Sequence, residues 1–289
     1  MQSDATTDRE PAARRARFPY RRVMIAAWDG RLPARLIDYA TACFDADAIF
    51  HVVAVAPPDD DPVMNARSRC EASNMVQAAC GLLTARGRCA GGQLLTLSRA
   101  WTGSAWLLAD AASHWGADLV LTSCAGPAHL ARAAHCPVLV LPDAASGHHD
   151  APPHRFFVAS DDSDASRVSV DEVTRLMQAG DALRVARVVL DPVGAPPVDT
   201  LDSVVLQAAG HGNLAHSIVG AALEWRADLL VLGTHAGEPS GKWRFASIAE
   251  QVAQLGALPL LMVPAGARRQ ARRSAVDEPL WNRWGADTR

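Results

Sequence analysis

The chain has a single lysine, Lys242, among its 28 Lys and Arg residues, and all six of its cysteines lie in the first half. Those cysteines (Cys43, Cys70, Cys80, Cys89, Cys124 and Cys136) form no Cys-x-x-Cys and no paired Cys and His at zinc-ligand spacing, so the usual metal patterns are missing. No apolar stretch approaches the ~18 residues that would suggest a membrane span. The first 19 residues mix Arg14, Arg15 and Arg17 with Asp4, Asp8 and Glu10 around no apolar core, unlike a secretory signal. Gly-x-Ser-x-Gly and His-Glu-x-x-His are both missing, which removes the common nucleophile and zinc-hydrolase motifs. A net charge of −3 gives no general attraction to nucleic acid, and the basic run Arg268, Arg269, Arg272 and Arg273 reads as a solvated tail. Together these absences predict a soluble cytoplasmic protein with buried free thiols, no metal, no membrane partner and no nucleic-acid partner.

What is present is said twice. Trp115-Gly-Ala-Asp118-Leu-Val-Leu recurs as Trp225-Arg-Ala-Asp228-Leu-Leu-Val-Leu, and Cys136-Pro-Val-Leu-Val-Leu-Pro142 recurs as Leu258-Pro-Leu-Leu-Met-Val-Pro264. Ala26-Ala-Trp-Asp29 and Val158-Ala-Ser-Asp161 open the two copies at aspartates. A chain of 289 residues accommodates two domains of ordinary size. The divisions expected are a flexible tail over residues 1–20, a first domain over 21–145, a second over 154–266 and a basic tail over 267–289. The turn-rich segment between Asp143 and Pro153 is the linker, and its His148 and His149, with the neighbouring His154, read as solvated side chains rather than metal ligands.

Each copy alternates short apolar, β-branched runs with segments of helical spacing, the signature of strands buried on both faces of a parallel sheet. In the first copy the strands are expected at 23–28, 48–56, 93–97, 119–123 and 138–141, and the helices at 32–44, 63–85 and 105–115. In the second the strands are expected at 156–160, 183–190, 203–207, 229–232 and 260–263, and the helices at 165–178, 214–225 and 245–254. Only a short stretch, Asp191 to Leu201, separates the second and third strands there, so the second copy is expected to have lost a crossover helix. The class is α/β: two Rossmann-like domains, each a doubly wound parallel sheet of about five strands. The apolar last strands, 138–141 and 260–263, are sheet edges that need covering, which predicts that the halves pair through them.

Ligands of such sheets sit at the carboxyl ends of the strands where the strand order reverses. Two places in the second copy point there. One is Asp161, directly after a strand; the other is the glycine-containing loop from Gly233 to Ser247, where backbone N–H groups and a helix start suit a phosphate. Simpler roles stand beside both: Ser247-Ile-Ala-Glu250 is a capping-box pattern, and Asp161-Asp-Ser163 can start the following helix. Residues Gly237 to Lys242 are not a P-loop, because Ala236 stands at the first glycine and Trp243 follows the lysine. His235 is assigned no catalytic duty. Asp59-Asp60-Asp61-Pro62 reads as a turn.

The order Val-Ala-Ser-Asp161, Trp225-Arg-Ala-Asp-Leu-Leu-Val-Leu-Gly-Thr-His235, Ala246-Ser247-Ile-Ala-Glu-Gln-Val252 and Leu-Pro-Leu-Leu-Met-Val263 resembles the universal stress protein family. The likeness covers residues 21–142 and 155–265 and suggests a tandem member. It implies five-stranded sheets of order 3-2-1-4-5 and an intrachain pseudo-dimer. It further implies ATP or a related adenine nucleotide bound through Gly-x2-Gly-x9-Gly-Ser/Thr. On this chain that pattern falls on Gly233, Ala236, Ala246 and Ser247, so two of three glycines are replaced, with Gly237 able to stand in for Ala236 by a one-residue slip. With Asp161 these form the candidate nucleotide site. The first copy keeps Asp29 but its counterpart loop is shorter, and no nucleotide is expected there. The implied function is a stress-response regulator or sensor acting on an unknown protein partner. A non-binding interaction scaffold is the alternative, and a weak ATPase or a flavin-linked protein a further one.

Overall fold

The apolar runs fold as strands and the amphipathic segments as crossover helices. The computed structural model describes residues 18–27, 32–56, 59–97, 103–123, 127–142, 151–189, 203–207, 214–234 and 245–266. In chain order the first half contains β1 (Arg22–Ala27), α1 (Ala34–Cys43), β2 (Ile49–Ala56), α2 (Pro62–Ala85), β3 (Cys89–Thr96), α3 (Ser104–Trp115), β4 (Leu119–Ser123), α4 (Pro127–Ala133) and β5 (Val138–Leu141). The second contains β6 (Arg155–Ser160), α5 (Asp164–Leu176), β7 (Ala182–Val189), β8 (Ser203–Gln207), α6 (Leu214–Glu224), β9 (Leu229–Thr234), α7 (Phe245–Leu255) and β10 (Leu260–Pro264).

These strands form one sheet in the order β3-β2-β1-β4-β5-β10-β9-β6-β7-β8, which is 3-2-1-4-5 followed by its mirror sequence. Every pairing within a half is parallel. The joint between halves is antiparallel, with Val140 opposite Leu260, Leu139 opposite Leu261 and Val138 opposite Met262. The last strands thus cover each other, as their apolar sequences require. Helices α1, α2 and α5 pack on one face and α3, α4, α6 and α7 on the other, and each apolar layer runs through residues of both halves. Tyr20 adds a polar contact across the halves. Its hydroxyl donates to Glu172 Oε1 of α5 at 2.5 Å, and the Arg175 guanidinium lies 4.9 Å from its ring centre. Burial, with the Glu172 carboxylate beside it, pushes the Tyr20 phenol well above its usual pKa.

Four expectations need correcting. The N-terminal tail does not reach residue 20: Phe18 and Tyr20 are core residues, and Phe18 bridges to Phe44 and packs on its ring at 5.4 Å. Strand β3 begins at Cys89 rather than Gln93. Its glycines hide it from a β-branched count, yet Gly92 is needed because a β-carbon there would lie 2.3 Å from Val76 Cγ1 of α2. Helix α4 was not anticipated, since seven residues are too few to show a helical period. Finally, Cys43 and Cys136 are buried free thiols, whereas Cys70 and Cys89 are exposed. The Asp59–Pro62 turn resolves into a cap, with Asp61 accepting from Val63 N at 2.8 Å and Pro62 opening α2. The stretch Asp191 to Leu201, where a crossover helix was expected to be lost, the linker at 143–150 and the tail at 267–289 lie outside the described residues.

The strongest repeat in the sequence, Trp-x-Ala-Asp, is a tie at the amino edge of each half-sheet. In the first half Asp118 accepts the backbone N–H groups of Arg21 and Arg22 at 2.7 and 2.9 Å, while Arg22 donates to the Trp115 carbonyl and lies 4.6 Å over its ring. In the second, Asp228 accepts from the N–H groups of His154 and Arg155 at 2.8 and 2.9 Å. Arg155 Nε and Nη2 donate to the Trp225 carbonyl at 3.1 and 2.6 Å, with the guanidinium 4.3 Å over the ring. Both helices close with the same left-handed turn: Ala117 N reaches Ala112 O, and Ala227 N reaches Ala222 O. The turn residue is Gly116 (φ 71°) in one copy and Arg226 (φ 57°) in the other. A β-carbon in that region costs roughly 1–2 kcal/mol, so Arg226 is the strained member of the pair.

Because both apolar layers cross the β5–β10 joint, the halves should unfold together. Leu261→Ala, at a fully buried joint position, is expected to cost about 2–5 kcal/mol while leaving a single transition, with calorimetric and van't Hoff enthalpies in agreement; two resolved transitions would contradict a shared core. A second expectation concerns the thiols. Burial, with Asp118 adding to it, pushes Cys136 up to about 12, so iodoacetamide near neutral pH should modify Cys70 and Cys89 promptly and Cys136 only after denaturation, as mass spectrometry of timed samples will show.

Candidate functional site

In the second half the chain leaves β6 toward β7 on one side and returns to β9 on the other, so the switch point lies where β6 and β9 run side by side, Ala159 opposite Leu232. Asp161 follows the end of β6, and Gly233 and Thr234 end β9, so the structure gathers these residues at one edge.

Asp161 is the hub of a tight turn. Its Oδ1 accepts from Ser163 N at 3.1 Å and from Ser166 Oγ, and its own N–H donates to Ser166 Oγ at 3.1 Å. Ser163 is the N-cap of α5, accepting from Ser166 N at 3.3 Å. Asp162 takes the left-handed conformation (φ 61°), and its carboxylate pairs with Arg187 of β7. The helix-starting role considered from sequence is therefore present. Asp161 Oδ2 has no hydrogen-bond partner among the described residues.

Gly233 has a steric reason of its own. A β-carbon there would sit 2.4 Å from both the carbonyl carbon and oxygen of Ala165 and 2.8 Å from Ser166 N. The glycine therefore lets β9 lie directly against the first turn of α5, and in doing so presses the Asp161 turn to the strand end. The next residue, Thr234, was not singled out from the sequence. It is 2% exposed, and its Oγ1 has no hydrogen-bond partner among the described residues. Such a group costs about 1–3 kcal/mol when left unsatisfied. Its signal in sequence was only its place beside Gly233.

Ala246 and Ser247 lie in the first turn of α7, which already begins at Phe245. The capping-box reading needs a non-helical Ser247 and does not hold. Ala246 is likewise helical, so no left-handed strain attaches to its β-carbon. The first-turn N–H groups of α7 lack partners within the helix and suit an anion. Ala236, Gly237 and His235 lie outside the described residues, as does Asp29 of the first half. Ten residues separate β9 from α7, but only three separate β4 from α4. Helix α4 also opens on Pro127, which brings no N–H. The first half therefore has little room for a phosphate-cradling loop.

The contact at Gly233 yields a direct test. Gly233→Ala should lower stability by about 1–3 kcal/mol in the absence of any ligand, the range typical of overpacking, measured by urea denaturation. A variant as stable as the parent would show that α5 and β9 are not in this contact.

Residues 203–264 match the model of the universal stress protein family. No curated protein matches the chain. Among solved structures it is similar to a universal stress protein from Archaeoglobus fulgidus, 12% identical, with a TM-score of 0.62 over 84% of this chain and 96% of that one. It is also similar to a putative universal stress protein from Pseudomonas aeruginosa, 14% identical, with a TM-score of 0.54 over 89% of this chain and 98% of that one. At those identities the likeness is one of fold. Over β8 to β10 the chain thus matches the universal stress protein family model, and over both halves it shares the fold of these structures.

Proposed function

We propose that the second half binds an adenine nucleotide, ATP or a relative, at the edge formed by Asp161, Gly233, Thr234 and the start of α7, and that the protein is a stress-response regulator or sensor whose occupancy is read by a protein partner. The observation that carries this reading is the buried hydroxyl of Thr234 at the switch point, which has no hydrogen-bond partner among the described residues. A fold retains such a group against its cost where something else satisfies it. Around it, Asp161 Oδ2 offers an acceptor for a ribose hydroxyl and the first turn of α7 offers N–H donors for phosphate. Ala236, Gly237, Ala246 and Ser247 complete the loop by sequence position. Among the described residues of this edge none is arranged as a nucleophile beside a base, and the reading is one of binding. Replacement of two loop glycines by Ala236 and Ala246 favours a second reading, an interaction scaffold that no longer takes nucleotide.

Thr234→Val separates the two. If the hydroxyl serves a ligand, the variant should bind ATP about tenfold or more weakly in calorimetric titration while its unliganded form gains roughly 1 kcal/mol, since an unsatisfied polar atom is removed. If neither the parent nor an Ala236→Gly variant binds ATP, the scaffold reading takes its place.

A further inference from the structure

Two elements of the first half meet at the outer side of the sheet, and neither brings a charge to it. Strand β3 ends the ten-stranded order, so its outer side pairs with no strand among the described residues. Its sequence, Cys-Ala-Gly-Gly-Gln-Leu-Leu-Thr, has no charged residue and no proline, and its ladder to β2 runs from Cys89 to Thr96 without a bulge. Charged side chains, proline, bulges and covering elements are the usual means of blocking an open edge. Gly91 and Gly92 are both exposed. Since a glycine has only main chain to expose, the backbone of this edge is open to solvent.

Helix α2 continues the surface in the layer above. From Ala72 to Ala85 it contains no charged residue, although a helix that faces water usually carries charges on its outer side. Ala72, Val76, Ala79 and Leu83 are buried against the sheet, and Arg86, at the end of the helix, reaches Asp38 of α1 at 2.6 Å. The helical period then puts Ser73, Gln77 and Thr84 on the side turned away from α1. They lie next to Cys80, whose sulfur stands 3.0 Å from the place a β-carbon would take on Gly92. The nearest charges in sequence, Arg86 and Arg88, are turned to α1: Arg88 donates to the carbonyl oxygens of Asp45 and Phe44 at 2.5 and 3.1 Å.

We propose that this surface pairs with the same surface of a second copy of the chain, β3 against β3 and α2 against α2. A two-fold axis perpendicular to the sheet sets both elements against their equivalents, and it makes the two β3 strands antiparallel. The chain joins its own halves by the same kind of pairing at β5 and β10, with helices of both halves on each face. An antiparallel contact also sends the two Arg88 residues to opposite ends, so the uncharged elements face each other without repulsion. A strand roughly 26 Å long under a helix about 10 Å thick presents on the order of 500 Å² per copy, about 1,000 Å² in total, the lower end for a specific interface. The dimer is therefore reversible. It is independent of the proposed nucleotide site.

Sedimentation velocity of the full-length protein over a concentration series tests the pairing, and hydrogen exchange on the same samples locates it. The parent is expected to pass reversibly from monomer to dimer in roughly the micromolar range, with the amides of β3 better protected in the dimer. Gln77→Lys on α2 and Gln93→Lys on β3, both at exposed positions, each bring two like charges to the contact. Each should weaken dimerisation about tenfold or more while the unfolding midpoint of the dilute monomer stays close to the parent's. Leu82→Lys, one turn before Arg86 on the α1 side of the same helix and 48% exposed in the parent, should leave dimerisation unchanged. A parent that stays monomeric at millimolar concentration overturns the proposal and leaves the edge to an extended segment of another protein. So does a dimer whose β3 amides exchange as fast as the monomer's, or one that Leu82→Lys weakens while Gln77→Lys and Gln93→Lys do not, since the chain then associates through another surface.

Discussion

The antiparallel pairing of β5 with β10 is the constraint on which the rest depends. Each half is a parallel sheet whose last strand is apolar on both faces, and neither strand could remain an open edge in water. Their pairing joins two five-stranded sheets into one and lets each apolar layer run unbroken from one half to the other. The polar contact from Tyr20 to Glu172 then fixes the start of the first half against a helix of the second. The duplication is thus a single folded body.

The two edges of the sheet serve different ends. At the amino edge, Trp-x-Ala-Asp ties each central strand to the helix that precedes its neighbour, through charge-assisted bonds from the aspartate and an arginine stacked on the tryptophan. At the carboxyl edge, close approach governs: Gly233 allows α5 to press on β9, bringing the Asp161 turn to the strand end that carries Thr234. The copies have diverged at both edges. The first shortens the loop before its last helix and opens that helix on Pro127. The second keeps the longer loop and surrounds Trp225 with arginines.

Much of the fold was legible before any coordinates. Strands buried on both faces lose the alternation of exposed sheets and read as continuous Val, Leu and Ile runs, so β1, β2, β4, β5 and β10 stand out. The internal repeat then supplied the class and the symmetry, and the apolar character of the last strands supplied the joint. What was illegible was short or glycine-rich: α4 is too brief for a period, β3 carries Gly91 and Gly92 in its first half, and Phe18 and Tyr20 sit among arginines that resemble a tail.

For the site, the sequence by itself determined the candidates, because Asp161 and Gly233 occupy strand ends and strand ends follow from apolar runs. Only the tertiary structure decided what those residues do. Whether Gly233 is required for a phosphate or for close approach to Ala165 depends on a residue 68 positions earlier in the chain. Whether Thr234 finds a partner depends on every neighbour packed around it. That Arg155, Arg184 and Arg226 share a cleft depends on strand order and on one left-handed turn. Local patterns report the backbone a segment prefers, but a steric contact, an unpaired hydroxyl or a charge cluster arises from distances between segments, and those are set only when the sheet closes on itself.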